Sequence, residues 1–175
     1  MALSPVMRMQ IINGVERVLH APGNPGHDLQ EMTIVLDYHM EKEQIGTLAK
    51  DVAGALKSHS QVFANVRCNL VHWKSDFEIT NETAPLAVVQ LCRFLNDYEQ
   101  KQEKKHAELL CGYLKKFHAR SKLILVFTDF SYQVEDRGRL KDALSPFLQY
   151  KILFTDGKTV KKSNEMEQGC ARLTK

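Results

Sequence analysis

Two aspartates, each ending a run of apolar residues, are the side chains best suited to chemistry. Asp37 ends residues 33–37, and Asp129 ends residues 122–129. Ligands of open α/β sheets bind just outside the carboxyl ends of the strands, so neighbouring strands would bring these carboxylates together. Oxygen ligands without a cysteine or histidine cluster suit a hard cation such as Mg²⁺, which keeps several waters and needs few protein groups. The hydroxyl of Thr83 could complete such a site.

Each of these side chains also has a purely structural interpretation. Asp37 could cap the following helix, where a carboxylate accepts from free backbone N–H groups and opposes the positive helix end. Thr83 could cap a helix before Pro85 in the same way. Asp129 could bind the turn after its strand. His39 is close to Asp37 in the sequence, but sequence alone places no catalytic partner within its reach.

Several catalytic and metal-binding motifs do not occur in the sequence. There is no P-loop, no G-x-G-x-x-G and no G-x-S-x-G, which argues against the nucleotide and hydrolase chemistry of those motifs. The cysteines form no C-x-x-C pair and the histidines no H-x-x-x-H, so a zinc site is not predicted. Three cysteines lie in apolar segments and are predicted to be reduced, buried thiols: Cys68, Cys92 and Cys111.

The elements that must position the two aspartates alternate between strands and helices. Apolar runs predict buried strands, and apolar residues at helical spacing predict amphipathic helices. The predicted strands are residues 31–37, 62–73, 77–80, 122–129, 150–154 and, after an Asp-Gly hairpin turn, 159–160. The predicted helices are residues 43–59, 81–95, 107–117 and 140–147, preceded by an N-terminal helix and loop in residues 1–29.

Residues 97–106 are almost wholly polar and carry charges of both signs. Such a run most simply extends a helix into solvent or forms an exposed connector. Six basic residues within and after it could contact nucleic acid: Lys104, Lys105, Lys115, Lys116, Arg120 and Lys122. Because acids in residues 99–108 are interleaved with them, a nucleic-acid site is not predicted.

Length and composition predict a single domain over residues 1–175, with a loosely ordered polar tail at residues 161–175. The apolar content of 43% and the charged content of 26% are those of a soluble globular protein. No apolar window approaches the roughly 20 residues of a transmembrane helix, and the N-terminus lacks a signal-peptide pattern. The expected location is therefore the cytoplasm, without membrane association.

The order of elements, with Asp37, Thr83 and Asp129 within it, resembles a von Willebrand factor A (VWA) domain. In that family the first strand ends in D-x-S-x-S, a threonine follows the β-hairpin, and an aspartate ends the fourth strand in a T-D-G-like phrase. The similar segments are residues 34–37, 70–73, 83–87 and 125–129, within a resemblance that covers about residues 32–154.

The resemblance implies a three-layer α/β/α Rossmann-like fold, with a mostly parallel central sheet and an antiparallel edge hairpin. In the family the three motif residues form the metal-ion-dependent adhesion site. The resemblance therefore implies Asp37, Thr83 and Asp129 as the ligands of a metal such as Mg²⁺, provided that the site is intact.

Several positions depart from the family pattern: His39, Glu41, Phe130, Asn81 and Glu82. The first two replace the metal-binding serines, Phe130 replaces the glycine after the aspartate, and the last two replace a glycine-rich approach to the threonine. Glu41 could supply a carboxylate, but its longer side chain alters the geometry. The site is therefore expected to be degenerate, with Asp37 kept for hydrogen bonds to adjacent loops. A different site made of Asp37, His39 and Asp129 stays open as an alternative.

Intracellular VWA domains usually act as adaptors, so the resemblance implies a non-catalytic scaffold module that binds a protein partner. The expected binding region is the carboxyl edge of the sheet, with Asp37, His39, Glu41, Thr83 and Asp129. The rival hypothesis is a Mg²⁺-dependent hydrolase or phosphotransferase that uses Asp37 and Asp129, because two-metal phosphoryl chemistry uses such acids. Against this rival, His39 occupies the second acidic position of the D-x-D found in haloacid-dehalogenase-like enzymes.

Overall fold

The computed structural model is an α/β protein built on a six-stranded, mostly parallel sheet. It describes residues 31–59, 66–90, 93–119, 121, 123–147 and 152–163, together with Pro5 and Met9. The strands are β1 (Glu31–Asp37), β2 (Arg67–Trp73), β3 (Ile79–Pro85), β4 (Ile124–Phe127), β5 (Ile152–Thr155) and β6 (Val160–Lys162). Their order across the sheet is β3-β2-β1-β4-β5-β6, which places β1 and β4 at the centre.

Helices alternate with the strands along the chain. They are α1 (Lys42–His59), α2 (Leu86–Gln90), α3 (Ala107–Leu114) and α4 (Arg137–Leu144), with short 3₁₀ turns at Arg93–Leu95 and Lys115–Phe117. This is the Rossmann-like arrangement that the sequence predicts. Within the described ranges, no helix combines the length and apolar character that crossing a lipid bilayer requires.

Parallel pairing brings the ends of four strands to one side of the molecule. β1 pairs in parallel with both β2 and β4, and β4 pairs in parallel with β5. The carboxyl edge of the sheet is therefore where β1, β2, β4 and β5 end. In this register the last residue of β1, Asp37, lies beside Trp73 of β2. The outer strands β3 and β6 each run antiparallel to their neighbour.

The core lies in two clusters on opposite faces of the sheet. Alternate residues of β1 point to opposite faces, so Ile34 and Leu36 belong to one cluster and Val35 to the other. The first cluster packs against α1 and α2, and the second packs against α3 and α4. Burying each such side chain contributes about 1.5–3 kcal/mol. The strand ends are thereby held rigidly beneath the loops of the carboxyl edge.

The third strand differs from its prediction. A third strand that pairs in antiparallel fashion with β2 is confirmed. Its predicted bounds of residues 77–80 and a helix from residue 81 are wrong, because β3 is continuous from Ile79 to Pro85 and the helix begins at Leu86. Residues 79–85 form a polar edge strand that is mostly exposed. Because polar residues are also typical of the start of a helix, the same sequence predicts a helix there. Pairing along the whole length of β2 decides the outcome.

Other predictions have mixed outcomes. The Asp-Gly hairpin is confirmed: β5 and β6 pair in antiparallel fashion, and Gly157 has φ 93°. β6 extends to Lys162, so a polar tail that begins at residue 161 is wrong at its start. Cys68 and Cys111 are buried free thiols as predicted, while Cys92 lies outside the described residues. The N-terminal helix and loop of residues 1–29 also lie outside them, apart from the helical positions Pro5 and Met9.

Candidate functional site

Asp37 lies at the end of β1 and is completely buried. Its Oδ1 atom accepts a hydrogen bond from the backbone N–H of His39 at 2.9 Å. Its Oδ2 atom accepts one from the hydroxyl of Thr128 at 2.7 Å, just beyond the end of β4. Both carboxylate oxygens are therefore engaged by neighbouring loops.

The main partner of Asp37 is the ammonium group of Lys105, which contacts Oδ1 directly. Lys105 is also completely buried. Its Nζ atom donates to the carbonyl of Trp73 at 3.1 Å and lies 4.2 Å from the centroid of the indole ring. A carboxylate, a carbonyl and an aromatic face thus surround one ammonium group, which is a complete environment for a buried cation.

The backbone around Lys105 is fixed as firmly as its side chain. Its carbonyl accepts from the N–H of Gln133 at 2.8 Å, and the N–H of Ala107 donates to the carbonyl of Gln133 at 2.9 Å. These two bonds form a short parallel bridge between His106 and Gln133. The connector of residues 96–106 is therefore tied to the loop after β4, and it delivers Lys105 to the sheet immediately before α3 begins.

Burial and a neighbouring negative charge shift the pKa of Lys105 in opposite directions. Burial lowers the pKa of this lysine to about 7, and the negative charge of Asp129 opposes the shift. Three groups donate hydrogen bonds to Asp37, which is the environment of an ionised carboxylate. An ionised Asp37 in turn favours the ammonium form of Lys105. The two side chains are best described as a buried ion pair.

A divalent metal does not fit this arrangement. Asp37, His39 and Asp129 each offer one ligand atom, and these atoms lie within 4.8 Å of one another. However, the Asp37 oxygens already accept from Lys105 and two other donors. A metal ion would have to displace the ammonium group, whose burial makes an uncompensated charge very costly. The residues present hold a lysine where a cation could otherwise bind.

The structure does not bring Thr83 to Asp37, and the prediction of its position is wrong. Thr83 lies within β3 and pairs with Asn69, which pairs with Thr33 of β1. At about 3.3 Å per residue, Thr33 lies about 13 Å along the strand from Asp37. The hydroxyl of Thr83 instead donates to the side chain of Asn69 at 3.4 Å. Because β3 runs antiparallel to β2, Thr83 lies level with the beginnings of β1 and β2, away from the carboxyl edge.

His39 and Asp129 do come together above Asp37. The hydroxyl of Ser131 donates to Asp129 at 2.6 Å and lies 2.8 Å from Nδ1 of His39. Nε2 of His39 lies 2.5 Å from the carbonyl of Glu103, which can only accept. Ser131 thus links Asp129 to His39, and the histidine ring links both to the backbone of Glu103. Glu41, another predicted edge residue, is exposed and lies immediately before α1.

A second cluster at this edge was not predicted. Asp76, in the turn between β2 and β3, accepts from the N–H of His106 at 2.8 Å, and its other oxygen lies 2.6 Å from Nδ1 of that histidine. Nε2 of His106 lies 3.2 Å from Glu135. Burial alone would lower the pKa of His106, but the hydrogen bond to Asp76 and the charges of Asp76, Glu135 and Glu108 together raise it.

Sequence reasoning found Asp37 and Asp129 but missed Lys105 and His106. Both missed residues lie in or next to the polar run of residues 97–106, where charged side chains predict an exposed connector. In the sequence, Lys105 stands out only as one of six basic residues that could contact nucleic acid, a site that is not predicted, and the structure shows its side chain to be fully buried. One signal was present: a buried aspartate at a strand end without metal-binding hydroxyls needs a basic partner, and the connector supplies several.

No protein family, curated protein or solved structure matches this chain.

Proposed function

We propose that this chain is a VWA-like module without catalytic activity, which binds a protein partner at the carboxyl edge of its sheet without a metal ion. The observation that carries the proposal is the contact between Lys105 and Asp37. In the family that the sequence resembles, a metal at this position links the domain to its ligand. Here an internal ammonium group supplies the positive charge, so the site keeps its shape without a cation from solution.

The surface above this ion pair supports binding rather than turnover. Asp37 is completely buried beneath the loops that follow β1 and β4, so a substrate has no access to its carboxylate. The groups nearer to solvent are His39, Glu41 and Asp129, and two of these are already hydrogen-bonded to their neighbours. A fixed set of polar groups on rigid loops is suited to recognising a complementary protein surface.

The finer fold assignment belongs to the same proposal. Hydrophobic clusters on both faces of the sheet, covered by α1 and α2 on one side and by α3 and α4 on the other, support a three-layer α/β/α arrangement of the VWA type. Phe130 adds a local similarity, since it adopts φ 64° at the position where the family has glycine. The proposed setting is an intracellular assembly in the cytoplasm, with this chain as an adaptor.

One observation favours the rival function, a Mg²⁺-dependent hydrolase or phosphotransferase. Asp37, His39 and Asp129 lie close enough together to share a metal ion. The rival requires the metal to displace Lys105 from Asp37. The two functions therefore differ in whether the wild-type chain binds a divalent cation.

A thermal-denaturation experiment separates the two functions. Wild type, Lys105→Ala and the matched control Lys104→Ala, whose side chain is exposed, are melted with and without millimolar Mg²⁺, Mn²⁺ or Ca²⁺. A metal that binds the native state raises the melting temperature by mass action. The proposal expects no rise for wild type or Lys104→Ala. A metal-dependent rise in wild type that Asp37→Asn abolishes would establish the rival site.

A binding experiment tests the partner. A tagged wild-type chain captures proteins from native lysate, and Asp129→Ala and Glu41→Ala are compared with Asp142→Ala, an exposed control on α4. The proposal expects the two edge variants to lose a partner that the control retains. Asp37→Ala is less informative because it leaves Lys105 buried without a counter-charge. Equal capture by all variants would contradict binding at this edge.

A further inference from the structure

Phe77 is an aromatic side chain that the fold leaves exposed to solvent. It is 99% exposed, whereas the other phenylalanines with described burial are buried or partly buried. It lies in the turn that joins β2 to β3, four positions after Trp73, which pairs with Asp37. The ring is therefore displayed at the same carboxyl edge as the proposed binding surface. Burial of a fully exposed aromatic ring against another molecule contributes favourable binding free energy.

The turn that carries Phe77 is held rigidly from inside. The hydroxyl of Ser75, which is itself buried, accepts from the backbone N–H groups of Phe77 at 3.3 Å and Glu78 at 3.0 Å. The N–H groups of Lys74 and Ser75 both donate to the carbonyl of Glu78, at 3.1 and 3.3 Å. Four hydrogen bonds thus hold the backbone on either side of Phe77.

A second set of contacts fixes the turn to the body of the protein. Asp76, immediately before Phe77, accepts from both the backbone and the ring of His106. His106 follows Lys105, whose side chain is bound to Asp37. The turn is therefore anchored to the same connector that closes the site. A side chain on such a preorganised turn loses little conformational entropy on binding, which favours its use as an anchor.

The charges near Phe77 indicate which kind of molecule could bind over its ring. Asp76 and Glu78 flank the ring in sequence, and Glu135 joins them through His106. Glu78 and Glu135 have side-chain exposures of 55% and 77%, and the opposing charge on the turn is Lys74, which pairs with Glu78 at 3.5 Å. Three acids therefore stand on and beside this turn against two cations, Lys74 and His106. We call Asp76, Glu78 and Glu135 the acidic collar.

We propose that Phe77 is the anchor of the interface, inserting into an apolar pocket with a basic rim on a protein partner. This inference rests on the proposed function and adds to it the residue that binds and the chemistry of the partner. Large aromatic side chains at the centre of an interface carry most of its binding energy, while complementary charges around them speed association.

The same charges disfavour two other occupants. Anionic membranes attract basic segments, and an aromatic ring inside an acidic collar lacks the lysines and arginines that hold a peripheral helix or loop at a lipid surface. Nucleic acid is repelled by the collar for the same reason, because its binding needs basic groups against the phosphates. The partner that fits both the ring and its surroundings is a protein.

The experiment places a photo-crosslinking benzoylphenylalanine at position 77 of the full chain, in cells that make the chain naturally. Position 115, at the exposed far end of α3, is the matched control. The protein crosslinked from position 77 is identified and purified, and its affinity for wild type, Phe77→Leu and Phe77→Ser is measured by calorimetry. The inference expects Phe77→Ser to weaken binding at least about tenfold and Phe77→Leu to weaken it less. Glu78→Lys should slow association and reduce its salt dependence.

Each other outcome has a distinct meaning. If Asp129→Ala weakens binding but Phe77→Ser does not, this inference fails while the proposed function stands. If no protein crosslinks, or if neither variant affects affinity, both fail. Crosslinking to a second copy of the chain, equal crosslinking at position 115, or loss of sedimentation with phosphatidylcholine–phosphatidylserine vesicles in Phe77→Ser would each overturn the inference. Unchanged melting temperatures of the variants show that folding is intact.

Discussion

The ammonium group of Lys105 contacts the carboxylate of Asp37 in the interior of the protein, across a separation of 68 positions in the sequence. The contact joins the end of the central strand β1 to the connector that precedes α3. It also places a cation against the strand-end aspartate without requiring one from solution. The connector, the β2–β3 turn and the loop after β4 are all organised around this pair.

The first prediction concerns the removal of the positive charge. Lys105→Met keeps the length and apolar character of the side chain but leaves Asp37 ionised and buried without a partner. Losing one member of a buried ion pair costs about 3–5 kcal/mol. The free energy of unfolding should fall by about that amount, measured by urea denaturation followed by circular dichroism.

The double variant Asp37→Asn/Lys105→Met is the control for this prediction. The carbonyl oxygen of an asparagine can still accept from the N–H of His39, its NH₂ group can donate to the hydroxyl of Thr128, and no charge is left buried. It should recover at least about 2 kcal/mol of the loss, since a neutral replacement of a buried ion pair is often tolerated. Stability of Lys105→Met within about 0.5 kcal/mol of wild type would show that the pair does not compensate buried charge.

Much of the sheet could be predicted from the sequence because the central strands are apolar on both faces. β1 has the predicted bounds, and β4 lies inside the predicted segment. The edge strand β3 was predicted only as a short strand at residues 77–80, and its full extent could not be predicted because residues 79–85 are polar and mostly exposed. Their strand conformation comes from pairing with β2, which local composition does not encode.

The candidate site was predicted only at its strand ends. Asp37 and Asp129 follow apolar runs, so their positions follow from the strands themselves. Lys105 could not be distinguished from the charged residues around it, because its burial depends on contacts with β1 and β2 that are distant in sequence. Thr83 was placed incorrectly because its location depends on the extent of β3.

The second prediction is a pH dependence due to His106. Burial acts to lower its pKa, but Asp76, Glu135 and Glu108 raise it above the ordinary 6.5. For a group whose pKa is raised by folding, the stabilisation is fully present below the unfolded value and disappears as pH rises through the folded value. The stability advantage of wild type over His106→Gln should therefore be largest near about pH 5.5 and shrink towards about pH 8.5.

The measurement is urea denaturation of both proteins at a series of pH values. A glutamine at this position can donate to Asp76 but does not titrate, so the difference between the two proteins isolates the charge. Asp76→Asn is a matched control, because Asp76 is the group that raises the pKa of His106 most. Its loss should weaken the dependence of stability on pH. A wild-type advantage that is constant across pH would contradict the assignment.

The third prediction concerns the backbone after β4, where Phe130 has φ 64°, a conformation that residues other than glycine rarely adopt. The ring lies 6.4 Å from that of Tyr132, and Lys161 lies 4.8 Å from its centroid. Both Phe130→Gly and Phe130→Ala lose these contacts, but only glycine relieves the left-handed strain. The glycine variant should be more stable than the alanine variant by about 1 kcal/mol.

Gly112 provides the matched control, because alanine rather than glycine is expected to be the more stable residue at that position. It is an exposed position within α3, and a Cβ atom added there would meet no atom within 4 Å. Gly112→Ala should therefore raise the free energy of unfolding by about 0.5–1 kcal/mol, since glycine is unfavourable in a helix. The test is chemical denaturation of all three variants beside wild type. If alanine were the more stable residue at both positions, the left-handed backbone at Phe130 would be contradicted.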